Sequence, residues 1–266
     1  QEDRLSPAVA SDVAIIGAGI TGSLVAHQLL EAGLSVSMFD KRHAGYGSTA
    51  ASTGLLLVQP DSSIAELSRL HSRSTAQRVY ELGHQAIMDL RALVRRLGID
   101  CGWEAKRTLY LASSQRDAEM LRREGTRSNQ IGFPATWLSA DVLRQRYNLN
   151  FPAALSAAGG AQVNALNLTR GVLQHAQRHP SFRLFENTRV LSLREDREKI
   201  VLRTNVGPDI YARHAIVAAG YESGQFVRSR LVRLRSTFVI ASKPMPPEKM
   251  EPFRCLMWET ARPYFY

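Results

Sequence analysis

The amino-acid sequence predicts an α/β fold that begins with a parallel pair of strands, and three observations support this. The run Val13–Ile16 is short, apolar and rich in β-branched residues, which is typical of a strand buried on both faces. Apolar residues at helical spacing follow over 20–30, and Gly33 is a typical helix stop. Residues 35–39 then alternate like a second strand, which ends at Asp40. This order predicts two parallel strands joined by a crossover helix.

Three glycines mark the turn between the first strand and the helix. Gly17 permits a tight turn, Gly19 lets the backbone approach a pyrophosphate, and Gly22 lets the helix pack closely on the sheet. Asp40 is placed for its carboxylate to accept hydrogen bonds from ribose hydroxyls. The order of these features favours a dinucleotide site over the alternative, a glycine-rich turn that arose by chance.

The middle of the chain predicts mainly helices. Ser63–Glu66 has the pattern of a capping box, and a helical pattern continues to Leu97 with a break expected near 72–74. The other predicted elements are a strand at Arg107–Leu111 and helices at 114–128 and Ala140–Tyr147.

The pattern of residues 151–226 predicts further elements of the first domain, and the pattern after residue 226 predicts further strands of the second domain. The predicted elements are a helix at 166–179, strands at Phe182–Phe185 and Arg189–Leu193, a ribbon and return strand at Ile200–Thr204 and Ala212–Val217, and strands at Arg235–Ala241 and Cys255–Trp258. We therefore expect a discontinuous nucleotide-binding domain of residues 10–62 and 151–226, and a second domain of residues 63–150 and 227–266.

Residues 41–54, directly after the second strand, are small, polar and rich in glycine. They lack the periodicity of a second NAD-type βα unit, and such a segment can offer hydroxyls and amides to a flat ring system. The alternative is an ordinary surface loop, which would not explain why the segment leads into the apolar stretch Leu55–Val58.

At this point the sequence resembles the D-amino-acid oxidase/glycine oxidase family of FAD-dependent oxidoreductases. The resemblance rests on GAGITG at 17–22, Asp40-Lys41-Arg42, GSTAASTG at 47–54, Thr188-Arg189-Val190 and AIVAAG at 215–220. It implies a Rossmann-like FAD-binding domain of the glutathione-reductase type, with a parallel sheet and a β-ribbon. An α+β substrate domain on a mostly antiparallel sheet would be interleaved with it.

The resemblance also implies which residues contact the cofactor. They are Gly17, Gly19, Ile20, Thr21, Gly22, Asp40, Lys41, Arg42, Gly47, Ser48, Thr49, Ser52, Thr53, Gly54, Leu55, Val190, Ala218, Ala219 and Gly220. Family members with covalently attached flavin carry a histidine at the place of Ala51, so the expected FAD is non-covalent.

The implied activity is the oxidation of an amine or amino acid by hydride transfer from its α-carbon to flavin N5. Tyr264 matches the tyrosine that faces the substrate and is the expected catalytic residue, although an aromatic side chain packed in the sheet is an equal alternative. Arg262 is a weaker candidate for an anion contact, and Tyr266 would point to the opposite face. Oxygen, a quinone or a carrier protein could accept the electrons, and the oligomeric state is left open.

Family members continue to a carboxylate-binding arginine and a last glycine-rich turn, and this sequence ends before both. We therefore expect a chain that lacks the C-terminal segment. One alternative function is an FAD-binding subunit, or a truncated flavoprotein, that needs a partner or the missing segment for catalysis. Another is an NAD(P)-dependent dehydrogenase, which only the first forty residues support.

Composition excludes several other classes. The 266 residues carry a net charge of +10, but the cations are spread along the chain and no nucleic-acid-binding signature accompanies them. No apolar run is long enough to span a membrane, and the start of the chain does not resemble a secretory leader. Cys101 and Cys255 have no metal or redox spacing, so we expect buried thiols in a reducing cytoplasm.

The sequence supports neither a metal site nor a serine-hydrolase site. His175 and His179 have the i,i+4 spacing of a metal pair, but no zincin glutamate or third ligand is indicated, so no metal is predicted. The chain has no GxSxG motif, and a hydrolase therefore has no positive support.

Overall fold

The computed structural model describes residues 10–226, 240, 242–246 and 254–262. This part of the chain forms two compact units. The first contains the described residues up to Thr53, Val94–Cys101 and the described residues from Asn164 to 226. The second contains Gly54–Leu93, Gly102–Val163 and the described residues beyond 239.

Within the described residues, the first unit is built on a six-stranded sheet. Its strands are β1 (Ala10–Ile16), β2 (Val36–Phe39), β7 (Phe182–Phe185), β8 (Val190–Asp196), β9 (Lys199–Thr204) and β10 (Ile210–Val217). Their order across the sheet is β7-β2-β1-β10-β9-β8. The first four run parallel, and β9 and β8 continue from β10 as an antiparallel ribbon. The predicted parallel sheet with a β-ribbon is therefore confirmed.

Alternating residues of β1 build the core on both faces of this sheet. Val13 and Ile15 pack beneath helices α1 (Ile20–Glu31) and α6 (Ala165–Ala176). On the opposite face, Ile16 belongs to a cluster in which the rings of Phe39 and Phe185 stack with centroids 5.0 Å apart. Because both faces are covered, β1 is apolar along its length, as expected for a central parallel strand.

The second unit is built on a mostly antiparallel sheet. Its strands are β3 (Leu55–Leu56), β4 (Glu104–Leu111), β5 (Ala135–Ser139), β6 (Ala153–Gln162) and β11 (Cys255–Glu259). Strand β6 pairs antiparallel with β3, β4 and β5, and β11 pairs parallel with β4. The predicted α/β class with a second α+β domain is thus confirmed.

Serine caps set the starts of several helices in this unit. The helices are α2 (Ile64–Leu70), α3 (Arg73–Leu97, in this unit as far as Leu93), α4 (Gln115–Gln130) and α5 (Ala140–Tyr147). Ser63, Ser114 and Ser139 each accept a hydrogen bond from an amide of the first turn of α2, α4 and α5 respectively. The predicted N-cap at Ser63 is therefore confirmed, with the bond from the Glu66 amide to Ser63 Oγ as one half of the predicted capping box. The chain also breaks between α2 and α3, as predicted near 72–74.

The two units divide at other residues than the sequence predicts. Residues 54–62 and 151–163 lie in the second unit, and 94–101 lies in the first. The main reason is β6, which the sequence pattern did not reveal. Its sequence AALSAAGGAQ contains residues with low strand propensity, yet β6 is the central strand of the second sheet. Small side chains fit there because neighbouring elements cover both faces.

Several of the predicted residues lie outside the part of the chain that the structure describes. Apart from Ile240, the predicted strand Arg235–Ala241 lies outside the described residues, as do Tyr264 and Tyr266. Among the described helices, none combines the length and apolarity needed to cross a membrane.

Candidate nucleotide site

The turn between β1 and α1 has room for backbone but not for side chains. Gly17 has φ +108°, and a Cβ there would lie 2.4 Å from the carbonyl oxygen of Ala218. A Cβ on Gly22 would lie 2.0 Å from the carbonyl oxygen of Gly17. Both contacts are closer than real Cβ atoms come, so the fold requires glycine at both positions. Gly22 acts by letting helix α1 close onto the turn.

The N-terminus of α1 faces a cavity, and its N-cap residue has no side chain that could accept a hydrogen bond from the first-turn amides. Gly19 is the N-cap, and the amide of Ile20 donates to Thr49 Oγ1 at 3.0 Å. A Cβ on Gly19 would lie 2.9 Å from the same oxygen, so this position too has little room. The backbone amides and dipole at a helix N-terminus favour an anionic group such as a diphosphate.

The carboxylate of Asp40 is fixed at the end of β2. Its Oδ2 accepts from the amide of Ala18 at 2.8 Å, and its Oδ1 accepts from the amide of Arg42 at 2.9 Å. A carboxylate oxygen can accept more than one hydrogen bond, so Asp40 can hold the turn and still accept from a hydroxyl.

Two cations follow Asp40 and share one acidic partner. Glu222, in a 3₁₀ turn at Gly220–Gln225, lies 2.5 Å from Lys41 Nζ and 3.5 Å from a guanidinium nitrogen of Arg42. The hydrogen bond from Lys41 is the main reason why the pKa of Glu222 lies below its usual value, and the charges of Lys41 and Arg42 act in the same direction.

These groups line one cavity in the first unit, at the carboxyl ends of β1, β2 and β10. Parallel α/β sheets bind ligands at this end of their strands. The predicted cofactor residues that line it are Gly17, Gly19, Ile20, Thr21, Asp40, Lys41, Arg42, Gly47, Ser48, Thr49, Val190, Ala218, Ala219 and Gly220.

Five predicted cofactor residues do not line this cavity. Gly22 packs against the turn, and Ser52 and Thr53 lie further along the segment that carries Thr49. Gly54 and Leu55 belong to the second unit, where Leu55 pairs with Gln162 in the β3–β6 ladder. A Cβ on Gly54 would lie 1.9 Å from the carbonyl oxygen of Val163, so packing within that unit explains this glycine.

Other lining residues were not among the expected cofactor contacts, although Thr188 and Arg189 belong to a segment that carries the resemblance. These other lining residues are Ile16, Phe39, Thr188, Arg189, Tyr221, Glu222, Gln225 and Phe226. Ile16 and Phe39 are the last residues of β1 and β2, so the predicted topology alone could have placed them. The 3₁₀ turn with Glu222 directly follows the predicted Ala218–Gly220, and a turn longer by a few residues would have included it.

The residues present fit a dinucleotide. Side chains at Gly17 and Gly19 would collide with the backbone or with Thr49, so the backbone itself forms this wall of the cavity. A helix N-terminus, a fixed carboxylate and two basic side chains supply the partners that a diphosphate and a ribose need.

His175 and His179, which have the i,i+4 spacing of a metal pair in the sequence, contact different groups in the structure. His175 lies near His27, with ring centroids 5.8 Å apart, whereas His179 Nδ1 accepts from the amide of Ser181. His27, Glu31 and His175 bring three potential metal ligands within 4.8 Å of one another. The guanidinium of Arg96, however, lies 3.1 Å from His27 Nε2 and 3.2 Å from a carboxylate oxygen of Glu31. A fixed cation thus already bonds two of the three ligands.

The chain is similar to several curated proteins and solved structures. It is 31% identical to glycine oxidase from Geobacillus kaustophilus over 214 residues, which cover 78% of this chain and 54% of that protein. It is 25% identical to gamma-glutamylputrescine oxidoreductase from Escherichia coli, with 87% of this chain and 54% of that protein covered. The crystal structure of the Geobacillus kaustophilus glycine oxidase superimposes with a TM-score of 0.67 at 27% identity, covering 79% of this chain and 55% of that one.

A family-level match accompanies these likenesses. The chain spans about half the length of these curated relatives. The model of the family described as FAD dependent oxidoreductase matches residues 12–266. Since that match covers nearly the whole sequence, the chain belongs to the DAO family of FAD-dependent oxidoreductases.

Proposed function

We propose that this chain binds FAD non-covalently and is part of an oxidoreductase that oxidises an amine or an amino acid. The observation that carries the proposal is the cavity of the first unit, which is lined by the glycine turn, the N-terminus of α1 and the fixed carboxylate of Asp40. Glycine oxidase and gamma-glutamylputrescine oxidoreductase, to which the chain is similar, suggest the substrate class.

The residues of the cradle divide the binding task between them. The N-terminus of α1 faces the diphosphate, and Asp40 accepts hydrogen bonds from a ribose. Lys41 and Arg42 supply positive charge near the same cavity. Ala51, in the segment that follows, has no nucleophilic atom, which supports non-covalent attachment.

When bound, FAD supplies the hydride-acceptor chemistry, with transfer from the substrate α-carbon to flavin N5 as the proposed step. The chain's own contribution is to bind and orient the cofactor. Tyr264 stays the proposed substrate-facing residue and Arg262 the weaker candidate. Tyr264 lies outside the described residues, whereas Arg262 is exposed at the end of the second unit.

The test is the visible spectrum of the purified chain and its response to substrates. We expect flavin absorption that bleaches anaerobically on addition of a member of an amino-acid and amine panel. Acid precipitation should leave the flavin in the supernatant, and colour in the precipitate would contradict non-covalent binding.

A matched pair of variants links the flavin to the cradle. Gly19→Val should weaken FAD binding about tenfold or more, the effect of about 1.4 kcal/mol of steric conflict. Gly224→Val is the control, because a Cβ at Gly224 has no neighbour within 4 Å. Circular dichroism should show both variants folded, and equal FAD affinity in the two would contradict the assigned cradle.

A second candidate function is an FAD-binding chain that needs a partner or a further segment for catalysis. Flavin that is bound but not bleached by any member of the panel would support it. Colourless protein that binds NADH would instead support the dehydrogenase alternative. The cytoplasmic location stays a prediction.

A further inference from the structure

The second unit contains a cavity of about 300 Å³ that the nucleotide site does not use. It lies between one face of the sheet and the helices that cover it. Thr108 and Tyr110 of β4 line it from the sheet, and helices α2 and α4 line it from the other side. All of its lining residues belong to the second unit, so its chemistry can be read without reference to the first.

The charge of the cavity is opposite to that of the chain. Five carboxylates line it, against two guanidinium groups, whereas the whole chain carries +10. The acidic residues are Asp61, Glu66, Asp117, Glu124 and Glu259, and the basic ones are Arg127 and Arg262. A concave acidic surface on a basic chain concentrates cations locally.

Neutral donors hold three of these carboxylates in place. Glu124 is 8% exposed and accepts from the amide of Ile64. Glu259 accepts from Ser113 Oγ at 2.9 Å, and Asp117 accepts from Ser114 Oγ at 2.7 Å. Amide and hydroxyl donors orient a carboxylate without cancelling its charge. Arg127 lies farther from Glu124, at 3.9 Å.

Aromatic rings supply an apolar wall that also attracts cations. Tyr110 and Trp258 are register partners on β4 and β11, and their rings stack with centroids 5.0 Å apart. Tyr80 is buried on the helical side. Burial is the main reason why the pKa values of both tyrosines are raised, and the charge of Glu124 adds to it in each case, although the charge of Arg262 partly offsets the rise at Tyr110. These shifts agree with a poorly hydrated, negative environment.

One acceptor at the cavity has no hydrogen-bond partner among the described residues. It is Oε1 of Gln59, which is buried and whose residue lines the cavity. Buried polar atoms are nearly always hydrogen-bonded, so this oxygen indicates a missing donor. An ammonium group has three donors and no acceptor, and therefore suits carboxylates and an orphan carbonyl together.

We propose that this cavity binds an organic cation, specifically a protonated amine on an apolar or aromatic body. The ammonium group contacts the carboxylates and, after rotation of that side chain toward the cavity, Gln59, and the body packs against Tyr110 and Trp258. The cavity shares Arg262 with the proposed function, but the proposal concerns binding alone, and the dependence of amine binding on FAD distinguishes its failure from failure of the proposed function.

Three probes with one body and different charge test it by calorimetric titration of the purified chain. They are 2-phenylethylamine, 2-phenylethanol and phenylacetate. The amine should bind about tenfold more tightly than the alcohol, an effect typical of a desolvated cation near rings and carboxylates. Phenylacetate that binds as tightly as the amine would overturn the proposal.

A variant pair locates the site. Glu259→Gln keeps an acceptor for Ser113 and should weaken the amine about fivefold or more while leaving the alcohol unchanged, since it removes one charge. The control is Glu119→Gln, on the exposed side of α4, which should change neither. Glu124→Gln provides a second readout if the first variant is unstable. Unchanged amine affinity in folded Glu259→Gln and Glu124→Gln contradicts the site.

A last experiment distinguishes amine binding in the second unit from amine binding at the nucleotide site. Amine binding should be the same with and without saturating FAD, and the same in Gly19→Val. Amine binding that requires FAD, or that Gly19→Val abolishes, places the amine at the cofactor and overturns the second-unit site.

Discussion

Single residues in the first unit combine structural and binding tasks. Asp40 holds two backbone amides while its carboxylate lines the nucleotide cavity, and Glu222 holds two cations at the same cavity. The sequence motif identified Asp40 because it ends a strand at a known distance from the glycines. It did not identify Glu222 as the partner of Lys41, because only the folded chain brings these two residues together.

Neutralising Glu222 should strengthen the binding of an anionic dinucleotide. Its carboxylate offsets the charge of Lys41 and Arg42, so Glu222→Gln raises the positive potential of the cavity. We expect the FAD Kd to fall about threefold at low salt, the scale of a partly exposed ion pair. Flavin fluorescence titration measures it, with the exposed Glu195→Gln as control, and an effect that persists unchanged at high salt would contradict an electrostatic cause.

His27 should make the chain less stable in mild acid. Burial is the main reason why its pKa lies below 6.5, and the charges of Arg96 and His175 lower it further. The unfolded chain therefore binds this proton more readily, and stability falls as the pH drops through 6.5. Thermal melts at pH 7.5 and 5.5 should show a smaller loss of Tm in His27→Gln than in the parent. The exposed His179→Gln should behave like the parent.

At the scale of elements, periodicity and caps were sufficient for most helices, whereas the strands β3, β5 and β6 were not predicted. Helix α5 and strand β7 have the predicted bounds, since a serine cap or flanking turn residues mark them. Strand β6 consists largely of Ala and Gly, which carry no strand signal. Its strand conformation comes from pairing with three neighbours, which is information that no local window contains.

The small residues of β6 should be essential on its buried faces only. Ala154 is fully buried against Leu109, Leu111 and Leu143, so Ala154→Leu should lower the free energy of unfolding by about 1–3 kcal/mol through overpacking. Ala158 is exposed on the same strand, and Ala158→Leu should change it by less than about 0.5 kcal/mol. Urea denaturation measures both, and equal losses would contradict the packing explanation.

At the scale of the whole molecule, the sequence predicted two interleaved domains but placed their boundaries at motif edges. The structure places boundaries just before β3 and β4 and just after β6, and another inside helix α3, between Leu93 and Val94. The net charge of +10 describes the whole chain and does not predict the local charge of the second-unit cavity, which is acidic.

The division into two units predicts a local response to FAD. A ligand that binds only the native first unit stabilises that unit by mass action. Hydrogen exchange at β1, β2 and β10 should therefore slow on addition of FAD, while exchange at β4 and β6 should change much less. Equal slowing in both sheets would contradict independent units.

The pairing of β1 with β10 affects how this chain can be synthesised. The two strands lie at opposite ends of the described first unit, at Ala10–Ile16 and Ile210–Val217, yet they are neighbours in the sheet. Ribosomes add about 5–20 residues per second, so one edge of nascent β1 waits about 10–40 s for its partner. During that interval an apolar strand with unpaired amides is exposed, and other proteins that bind such edges can reach it. We expect the yield of folded chain to depend on chaperones and on the translation rate before residue 210.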